Sequence, residues 1–376
     1  MDINLNILSD QEAAILRETI AASRRIVICA HKSPDGDAIG SSLGWAYYLR
    51  SLGKESMVCV PDMIPDAISW LPGSLDIVRY DKRPEKVQQA FDEADLVFCV
   101  DFGSTGRLDE MDHVLAGCKA QRIVIDHHLA PNLEAKLMIS QPHASSASEL
   151  VFRLVWQLGG FPELDKTWAT CVYCGMMTDT GGFTYNSSNP DIYYIICQLL
   201  TKGIDKDKIY RNVFNNARVS AVRFRGHLMN EKLQVIESLH ASYYTVTRKE
   251  LKEYDFIKGD LEGLVNVPLT IKGHKLSISL REDTDIDNRI LVSLRSVDDF
   301  PCNKMAEQFF NGGGHLNASG GKLLCSIEEA ELIAQKAITG KKWNEPLFNS
   351  SGLSCRLPGD FPAPRMYLFR LTNIYA

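Results

Sequence analysis

Short apolar runs alternate with amphipathic stretches along the first part of the chain. Four runs have the length and composition of buried strands and lie at 25–30, 56–60, 96–100 and 122–125. Apolar residues at helical spacing separate or follow them, at 10–23, 38–52, 84–92 and 145–158. Ser9 and Glu12 form a capping-box pattern at the start of the first helix. This alternation predicts an α/β fold with a mostly parallel sheet flanked by helices.

The pattern changes after about residue 190. Residues 189–240 are largely helical in their spacing and contain few turn signals, whereas 243–248, 275–281 and 289–296 return to strand patterns. We therefore predict an α/β domain over 1–190, a helical connector over 191–240 and a smaller C-terminal α/β domain over 241–340. The remainder, 341–376, has four prolines and no sustained period, and its order is left open.

Composition narrows the class of protein. The chain has 376 residues, 45% hydrophobic content and a formal net charge of -6, which favours a globular protein and argues against a grip on long duplex nucleic acid. An apolar segment long enough to span a membrane and a secretory leader are both absent from the pattern, so we expect a cytoplasmic protein without a membrane partner. The scattered cysteines predict no disulfide framework, and Cys171 with Cys174 is expected to pack in the core.

Polar residues follow several of the predicted buried elements. They are His31, Asp35 and Asp37 after the first strand, Asp101 after the third, Asp126, His127 and His128 at the fourth, and Asp179 after an apolar helical run. In an open parallel sheet, ligands bind beyond the carboxyl ends of the strands. One aspartate at a strand end more often caps a turn. Together, however, these residues predict one shared site.

Burying this many carboxylates without cations would be very costly, so we predict a metal site. Imidazole mixed with carboxylate favours manganese, with magnesium as the alternative. The number of ligands suits two divalent ions, an arrangement that serves hydrolysis at phosphorus.

A second group of residues lies near the other end of the chain. The run Gly312 to Gly314 followed by His315 offers backbone amides that side chains do not shield, a pattern suited to anions. Arg295 ends an apolar run and could pair with a phosphate in a bidentate manner. A flexible turn and an exposed strand-end arginine are the alternative interpretations, which the sequence leaves open.

These motifs, in this order, resemble those of the DHH phosphoesterases, a family named for the triplet seen here as Asp126-His127-His128. The likeness covers about residues 10–340 and is greatest to the bacterial nanoRNase and pAp phosphatase group. The glycine run before His315 looks like the DHH-associated domain of that family. The resemblance implies one metal ion bound by His31, Asp35 and Asp101, and a second bound by Asp37, Asp101, His127 and Asp179.

Further roles come from the same resemblance. Asp101 would bridge the two ions and Asp126 would support the ligands from behind, while His128 would contact the scissile phosphate. Arg295 and His315 would hold substrate phosphate, and Gly313 and Gly314 would let the backbone approach it. The resemblance also makes a homodimer plausible.

The implied function is hydrolysis of short oligoribonucleotides from the 3′ end and of adenosine 3′,5′-bisphosphate to AMP and phosphate. Partners would be short oligonucleotides and small nucleotides. A cyclic-dinucleotide or linear-dinucleotide phosphodiesterase is the main alternative. A single-strand DNA exonuclease, an inorganic pyrophosphatase and a nucleotide-binding module without activity are less favoured, the last because all the ligand positions are filled.

Overall fold

The computed structural model describes residues 3–129 and 131–340. The tail predicted over 341–376 lies outside these residues. The chain divides between Ala217 and Arg218 into two compact units. This division falls inside the stretch 191–240, which the sequence suggested as a connector.

The first unit contains a parallel sheet. Its described strands have the order β3-β2-β1-β4-β5-β6, and every neighbouring pair is parallel. The strands are β1 (Ile26–Cys29), β2 (Ser56–Val60), β3 (Val78–Arg79), β4 (Leu96–Val100), β5 (Gln121–Asp126) and β6 (Leu137–Ser140). β1 and β4 are buried along their whole length because helices cover both faces of the sheet. The predicted α/β class is confirmed, and β3 and β6 are additional edge strands.

Helices occupy both faces of this sheet. The α-helices described in this unit are α1 (Asp10–Ala22), α2 (Gly36–Ser51), α3 (Pro84–Glu93), α4 (Asp112–Gly117), α5 (Ala147–Gln157), α6 (Lys166–Asp179), α7 (Pro190–Thr201) and α8 (Lys206–Phe214). One apolar core lies between the sheet and α1, α2, α5 and α6, and another lies under α3 and α4. The four predicted helices begin and end within two residues of α1, α2, α3 and α5.

Glycines allow α2 and α6 to pack closely. A β-carbon on Gly40 would lie 2.6 Å from the Cys171 carbonyl oxygen and 2.9 Å from the Gly175 nitrogen. One turn further along α2, a β-carbon on Gly44 would lie 2.8 Å from a methyl group of Val172. The two helices are antiparallel along this contact, so the beginning of α2 and the end of α6 meet at the same edge of the sheet.

The second unit contains a mostly antiparallel sheet. The order of its described strands is β11-β12-β10-β9-β8-β7, and only the pair β8 and β9 is parallel within this part of the chain. The strands are β7 (Gln234–Ile236), β8 (Ala241–Val246), β9 (Leu276–Glu282), β10 (Arg289–Ser296), β11 (Gly313–His315) and β12 (Ala318–Leu324). The helices are α9 (Val219–His227), α10 (Arg248–Glu253), α11 (Cys302–Phe309) and α12 (Ile327–Thr339). α11 and α12 cover one face of the sheet.

Two features of this region add detail to the sequence analysis. The stretch 189–240 is largely helical and contains α7, α8 and α9, but it also includes strand β7, which forms by pairing with β8. Within the glycine run, Gly313 to His315 form β11 of a hairpin with β12. Gly314 has a φ of 142°, and a β-carbon there would lie 2.6 Å from the Ala318 carbonyl oxygen.

Eight of the cysteines in the described ranges are free thiols, namely Cys29, Cys59, Cys99, Cys118, Cys171, Cys174, Cys197 and Cys302. Cys171 and Cys174 are fully buried on α6, in agreement with the predicted core position. No helix within residues 3–129 and 131–340 is long and apolar enough to cross a membrane.

Candidate metal centre

The carboxyl ends of three adjacent strands bring polar side chains together. Asp101 follows β4 directly, His31 lies two residues beyond the end of β1, and Asp126 ends β5. Because the strands are parallel and in register, these ends lie at one edge of the sheet. The side chains are deeply buried: His31 is 4% exposed, Asp101 2% and Asp126 0%.

The contact between α2 and α6 adds three carboxylates. Asp35 is the N-cap of α2 and accepts hydrogen bonds from the backbone nitrogens of Asp37 and Ala38, both at 3.0 Å. Asp37 lies in the first turn of α2 and is 1% exposed. Asp179 is the last residue of α6.

Asp101 lies at the centre of the cluster. One carboxylate oxygen, Oδ2, is 3.4 Å from His31 Nε2, and the other, Oδ1, is 3.4 Å from His127 Nε2. His128 Nδ1 is 3.7 Å from Oδ1. Asp101 has a φ of 64°, in the left-handed region that aspartate and asparagine enter more readily than most residues. The backbone at the end of β4 therefore directs one carboxylate towards two imidazoles.

The remaining carboxylates divide between these imidazoles. Asp35 Oδ2 is 3.9 Å from His31 Nε2. On the other side, Asp179 Oδ2 lies 3.5 Å and Asp37 Oδ2 3.9 Å from His127 Nε2. The ligand atoms of His31, Asp35 and Asp101 all lie within 4.8 Å of one another, as do those of Asp37, His127 and Asp179. Two ligand groups thus meet at Asp101.

Backbone carbonyls orient both imidazoles. His31 Nδ1 lies 2.8 Å from the Lys32 carbonyl oxygen, and His127 Nδ1 lies 3.3 Å from the Ala144 carbonyl oxygen. A proton on each Nδ1 leaves Nε2 as the atom that faces the carboxylates. Metal-binding histidines in proteins are held in the same way.

His128 is held by its neighbour in the triplet. Its Nδ1 is 2.8 Å from Asp126 Oδ1, and the same oxygen accepts a hydrogen bond from the His128 backbone nitrogen at 3.2 Å. The His128 side chain is 28% exposed, whereas Asp126 is fully buried. Asp126 therefore fixes the orientation of an imidazole that solvent can reach.

The N-terminus of α5 holds Asp37. The Ala147 nitrogen donates to Asp37 Oδ2 at 2.6 Å, and the Ser148 nitrogen donates to Oδ1 at 2.8 Å. The positive end of a helix dipole stabilises such a carboxylate. These two amides and the Ala144 carbonyl were not identified from the sequence, because backbone groups have no residue signature.

The buried charges shift one another's pKa values. Burial disfavours protonated histidine, but Asp101 and the other nearby carboxylates raise the pKa of His31 to about 9 and that of His127 to about 11. Burial opposes ionisation of Asp101, yet the two imidazoles hold its pKa far below the usual range. Burial and the other carboxylates raise the pKa of Asp37 well above its usual value, and burial raises that of Asp179 to about 7. Additional positive charge would therefore stabilise the ionised forms of the buried carboxylates in this cluster.

Several buried atoms in the cluster lack a hydrogen-bond partner in the described part of the chain and are candidates to bind cations. His31 Nε2, Asp101 Oδ1 and Asp126 Oδ2 are buried and have no hydrogen-bond partner among the described residues. Buried polar atoms seldom lack a partner in native proteins. Nitrogen and carboxylate donors at this spacing suit manganese or a similar divalent cation. The residues present therefore fit two such ions.

The other predicted site residues lie in the second unit. In the antiparallel register, Ala318 of β12 is opposite both Arg295 of β10 and His315 of β11. Residues opposite one another in a sheet point to the same face, so Arg295 and His315 share a face on either side of Ala318. Gly314 is opposite Ser319, next to Ala318. The structure therefore brings Arg295 close to the glycine run.

The first unit thus defines a class: an α/β protein with a candidate centre for two divalent cations at the carboxyl edge of a parallel sheet. Residues 25–176 match the family model described as DHH family, N-terminal domain. A solved structure of an exopolyphosphatase-related protein from Bacteroides fragilis is 46% identical and has a TM-score of 0.85, covering 88% of this chain and 96% of that one. The chain belongs to the DHH family, and this membership supports a hydrolytic phosphoesterase.

Two relatives with named activities are similar in sequence to this chain. The probable bifunctional oligoribonuclease and PAP phosphatase NrnA of Streptococcus mutans is 27% identical over 323 residues, which are 84% of this chain and 95% of the relative. The cyclic-di-AMP phosphodiesterase GdpP of Geobacillus thermodenitrificans is 26% identical over 86% of this chain, but the match spans only 48% of that protein. The chain is thus similar to the first over nearly its whole length and to about half of the second.

Proposed function

We propose that this protein is a two-metal phosphoesterase that degrades short oligoribonucleotides from the 3′ end and converts adenosine 3′,5′-bisphosphate to AMP and phosphate. The observation that carries the proposal is Asp101, whose two carboxylate oxygens each face a different buried imidazole at 3.4 Å. Similarity to the Streptococcus mutans relative along 95% of its length supports the substrate class.

The proposed ligands follow the two groups that meet at Asp101. His31 and Asp35 would bind one ion, Asp37, His127 and Asp179 would bind the other, and Asp101 would contact both. Manganese is the preferred ion, because histidine and aspartate ligands are combined. When bound, two divalent ions lower the pKa of water and neutralise the charge that develops at phosphorus.

The protein's own side chains orient the reacting groups. Asp126 accepts a hydrogen bond from Nδ1–H of His128, so Nε2 of this partly exposed ring is the atom that would contact the scissile phosphate. The α5 amides donate a hydrogen bond to each carboxylate oxygen of Asp37 and so favour the ionised form, which binds cations, against the effect of burial, which raises the pKa of this group. These groups are in place before substrate binds, so little reorganisation is required during the reaction.

A second set of residues is proposed to bind the substrate. Arg295 has a planar guanidinium that can donate two parallel hydrogen bonds to a phosphate. His315 lies on the same face of the sheet, and Gly313 and Gly314 leave the hairpin backbone without bulky side chains. Substrates with a free terminal phosphate would use these groups best.

Hydrolysis of cyclic or linear dinucleotides is the second candidate. It is favoured by the similarity to the cyclic-di-AMP phosphodiesterase of Geobacillus thermodenitrificans, although this chain spans only 48% of that protein. A common metal centre would serve both reactions, so only the substrate preference separates them.

A direct comparison of substrates tests the proposal. Purified protein with manganese would be given a trinucleotide RNA, a long RNA, adenosine 3′,5′-bisphosphate, a linear dinucleotide and a cyclic dinucleotide under one set of conditions. We expect the fastest turnover with the trinucleotide and the bisphosphate. Preference for the cyclic dinucleotide would replace the first candidate with the second, and inactivity on all five would refute both.

A further inference from the structure

A buried ion pair lies on α5, outside the set of proposed ligands. Glu149 is 2% exposed and Arg153 6%. Arg153 Nε donates to Glu149 Oε1 at 2.7 Å, and its terminal nitrogen donates to Asp191 Oδ2 of α7 at 3.0 Å. Burying such a pair is costly unless its geometry and its additional hydrogen bonds offset the loss of water.

The second oxygen of Glu149 fixes the segment that leads into α5. Glu149 Oε2 accepts hydrogen bonds from the nitrogen and the hydroxyl of Ser145, both at 2.7 Å. The preceding residue, Ala144, provides the carbonyl that holds His127 Nδ1. The following residues, Ala147 and Ser148, provide the amides that hold Asp37. One carboxylate therefore anchors the backbone between the supports of two proposed metal ligands.

Helix capping alone does not account for this arrangement. In α1, α10 and α12, a serine or threonine and a glutamate three residues later form complete capping boxes. Glu12 and Glu250 in two of these boxes are partly exposed, and Glu329 in the third is exposed. In α5, Ser146 caps the Glu149 nitrogen at 3.0 Å, but the Glu149 carboxylate contacts Ser145 and Arg153 instead and is buried.

We propose that Glu149 and Arg153 are positioning residues for the metal centre. Their ion pair holds residues 144–146 so that the Ala144 carbonyl orients His127 and the first amides of α5 orient Asp37. This inference rests on the proposed function, in which His127 and Asp37 bind a divalent cation.

Glu149→Gln tests the inference with almost no change of shape. The new amide nitrogen cannot accept a hydrogen bond, so either the Ser145 nitrogen or Arg153 Nε loses its acceptor. Groups that orient metal ligands typically change metal affinity about 10- to 100-fold when mutated, and we expect the manganese Kd to rise about tenfold. At saturating manganese the KM for nucleotide should stay at the wild-type value, because Glu149 does not touch substrate.

Glu12→Gln is the matched control. It makes the same chemical change in the capping box of α1, where the Glu12 carboxylate accepts hydrogen bonds from the nitrogen and the hydroxyl of Ser9. Both variants and the wild type would be prepared metal-free, checked for folding by circular dichroism, and titrated with manganese by electron paramagnetic resonance. We expect Glu12→Gln to bind manganese as tightly as the wild type does.

A folded Glu149→Gln protein with wild-type manganese affinity would overturn the inference. If this variant does not fold, Arg153→Lys decides by the same criterion, because one ammonium cannot reproduce the contacts of the guanidinium with both Glu149 and Asp191. The wild-type titration is independent of either variant: fewer than two bound manganese ions would refute the proposed centre itself.

Discussion

The two proposed sites are built on different principles. In the first unit, the ligand groups are mostly buried and their positions are fixed by backbone carbonyls, amides and a left-handed residue, Asp101. In the second unit, Arg295 is only partly buried and His315 is exposed, and both lie on strands of a regular sheet. The first site has to place several charges at once, whereas the second has to offer donors to an anion.

This difference predicts that the two proposed sites respond differently to amino-acid substitutions. A buried cluster of coupled charges loses most of its function when one member changes, because the remaining charges stay unbalanced. Groups on an open face act more independently and retain hydration when substrate is absent. Substitutions in the first unit should therefore act on metal binding and turnover, and those in the second on substrate affinity.

The largest effect is expected for Asp101→Asn. Asparagine tolerates the left-handed backbone at this position, so the fold should persist while the proposed shared ligand loses its charge. Loss of one essential charge at a two-metal centre corresponds to about 4 kcal/mol in the barrier, on the order of 10³-fold in kcat. Steady-state kinetics with adenosine 3′,5′-bisphosphate measure this. Activity within tenfold of the wild type in a folded variant would contradict the role of Asp101.

Gly40→Ala should cause the next largest effect, on folding. The added β-carbon meets backbone atoms of α6, which cannot move aside, and we expect a loss of about 3 kcal/mol in the free energy of unfolding. In Gly44→Ala the added β-carbon meets side-chain atoms only, the nearest of them a methyl group of Val172, and the change should cost about 1 kcal/mol. Gly117→Ala, at the end of α4 with nothing within 4 Å, is the control. Urea unfolding of the three variants ranks them, and equal losses would refute the helix contact as the cause.

The ease of predicting these features from the sequence varied with their surroundings. β2 and β4 have the predicted bounds. β4 was predictable because a strand buried on both faces is an unbroken apolar run. β3, β6 and β7 were not predicted. They are short strands at sheet edges. They form because they pair with a neighbouring strand, and their own residues show no strand pattern that would reveal them.

In the candidate site, too, some groups could be predicted from the sequence and others could not. The acids and histidines at the strand ends were found from the sequence, since parallel strands bring their carboxyl ends to one edge. The supports of His127 and Asp37 were not found, because they are backbone groups of Ala144, Ala147 and Ser148. Ser146 and Glu149 have capping-box spacing, which signals the start of α5. That spacing does not reveal that Glu149 is buried against Arg153.

Manganese should stabilise the two units unequally. A ligand at about 100 times its Kd stabilises the state that binds it by about 2.7 kcal/mol, and the proposed ligands all lie in the first unit. Hydrogen exchange should therefore slow in β1, β4 and β5 on addition of manganese, with little change in β10 and β12. The Asp101→Asn protein serves as the control and should lose this response. Equal protection of both sheets would contradict a centre confined to the first unit.

The smallest predicted effect concerns Arg295→Ala in the second unit. If the guanidinium binds a substrate phosphate from an open face, its loss should raise KM for adenosine 3′,5′-bisphosphate about tenfold, or about 1.4 kcal/mol, with little change in kcat. Manganese affinity should not change, since the proposed ligands belong to the other unit. Initial rates over a range of substrate concentrations separate KM from kcat.

Lys322→Ala is the matched control for this position. Lys322 is an exposed cation four residues beyond Ala318 on β12, so it lies on the same face as Arg295 and about 13 Å along the strand. An unchanged KM in Lys322→Ala together with a raised KM in Arg295→Ala would assign the effect to one phosphate contact. Equal increases in both would mean that this face of the second sheet attracts anions through its overall positive charge. The second unit would then bind substrate without a specific phosphate contact, in contrast to the fixed, buried ligands of the first unit.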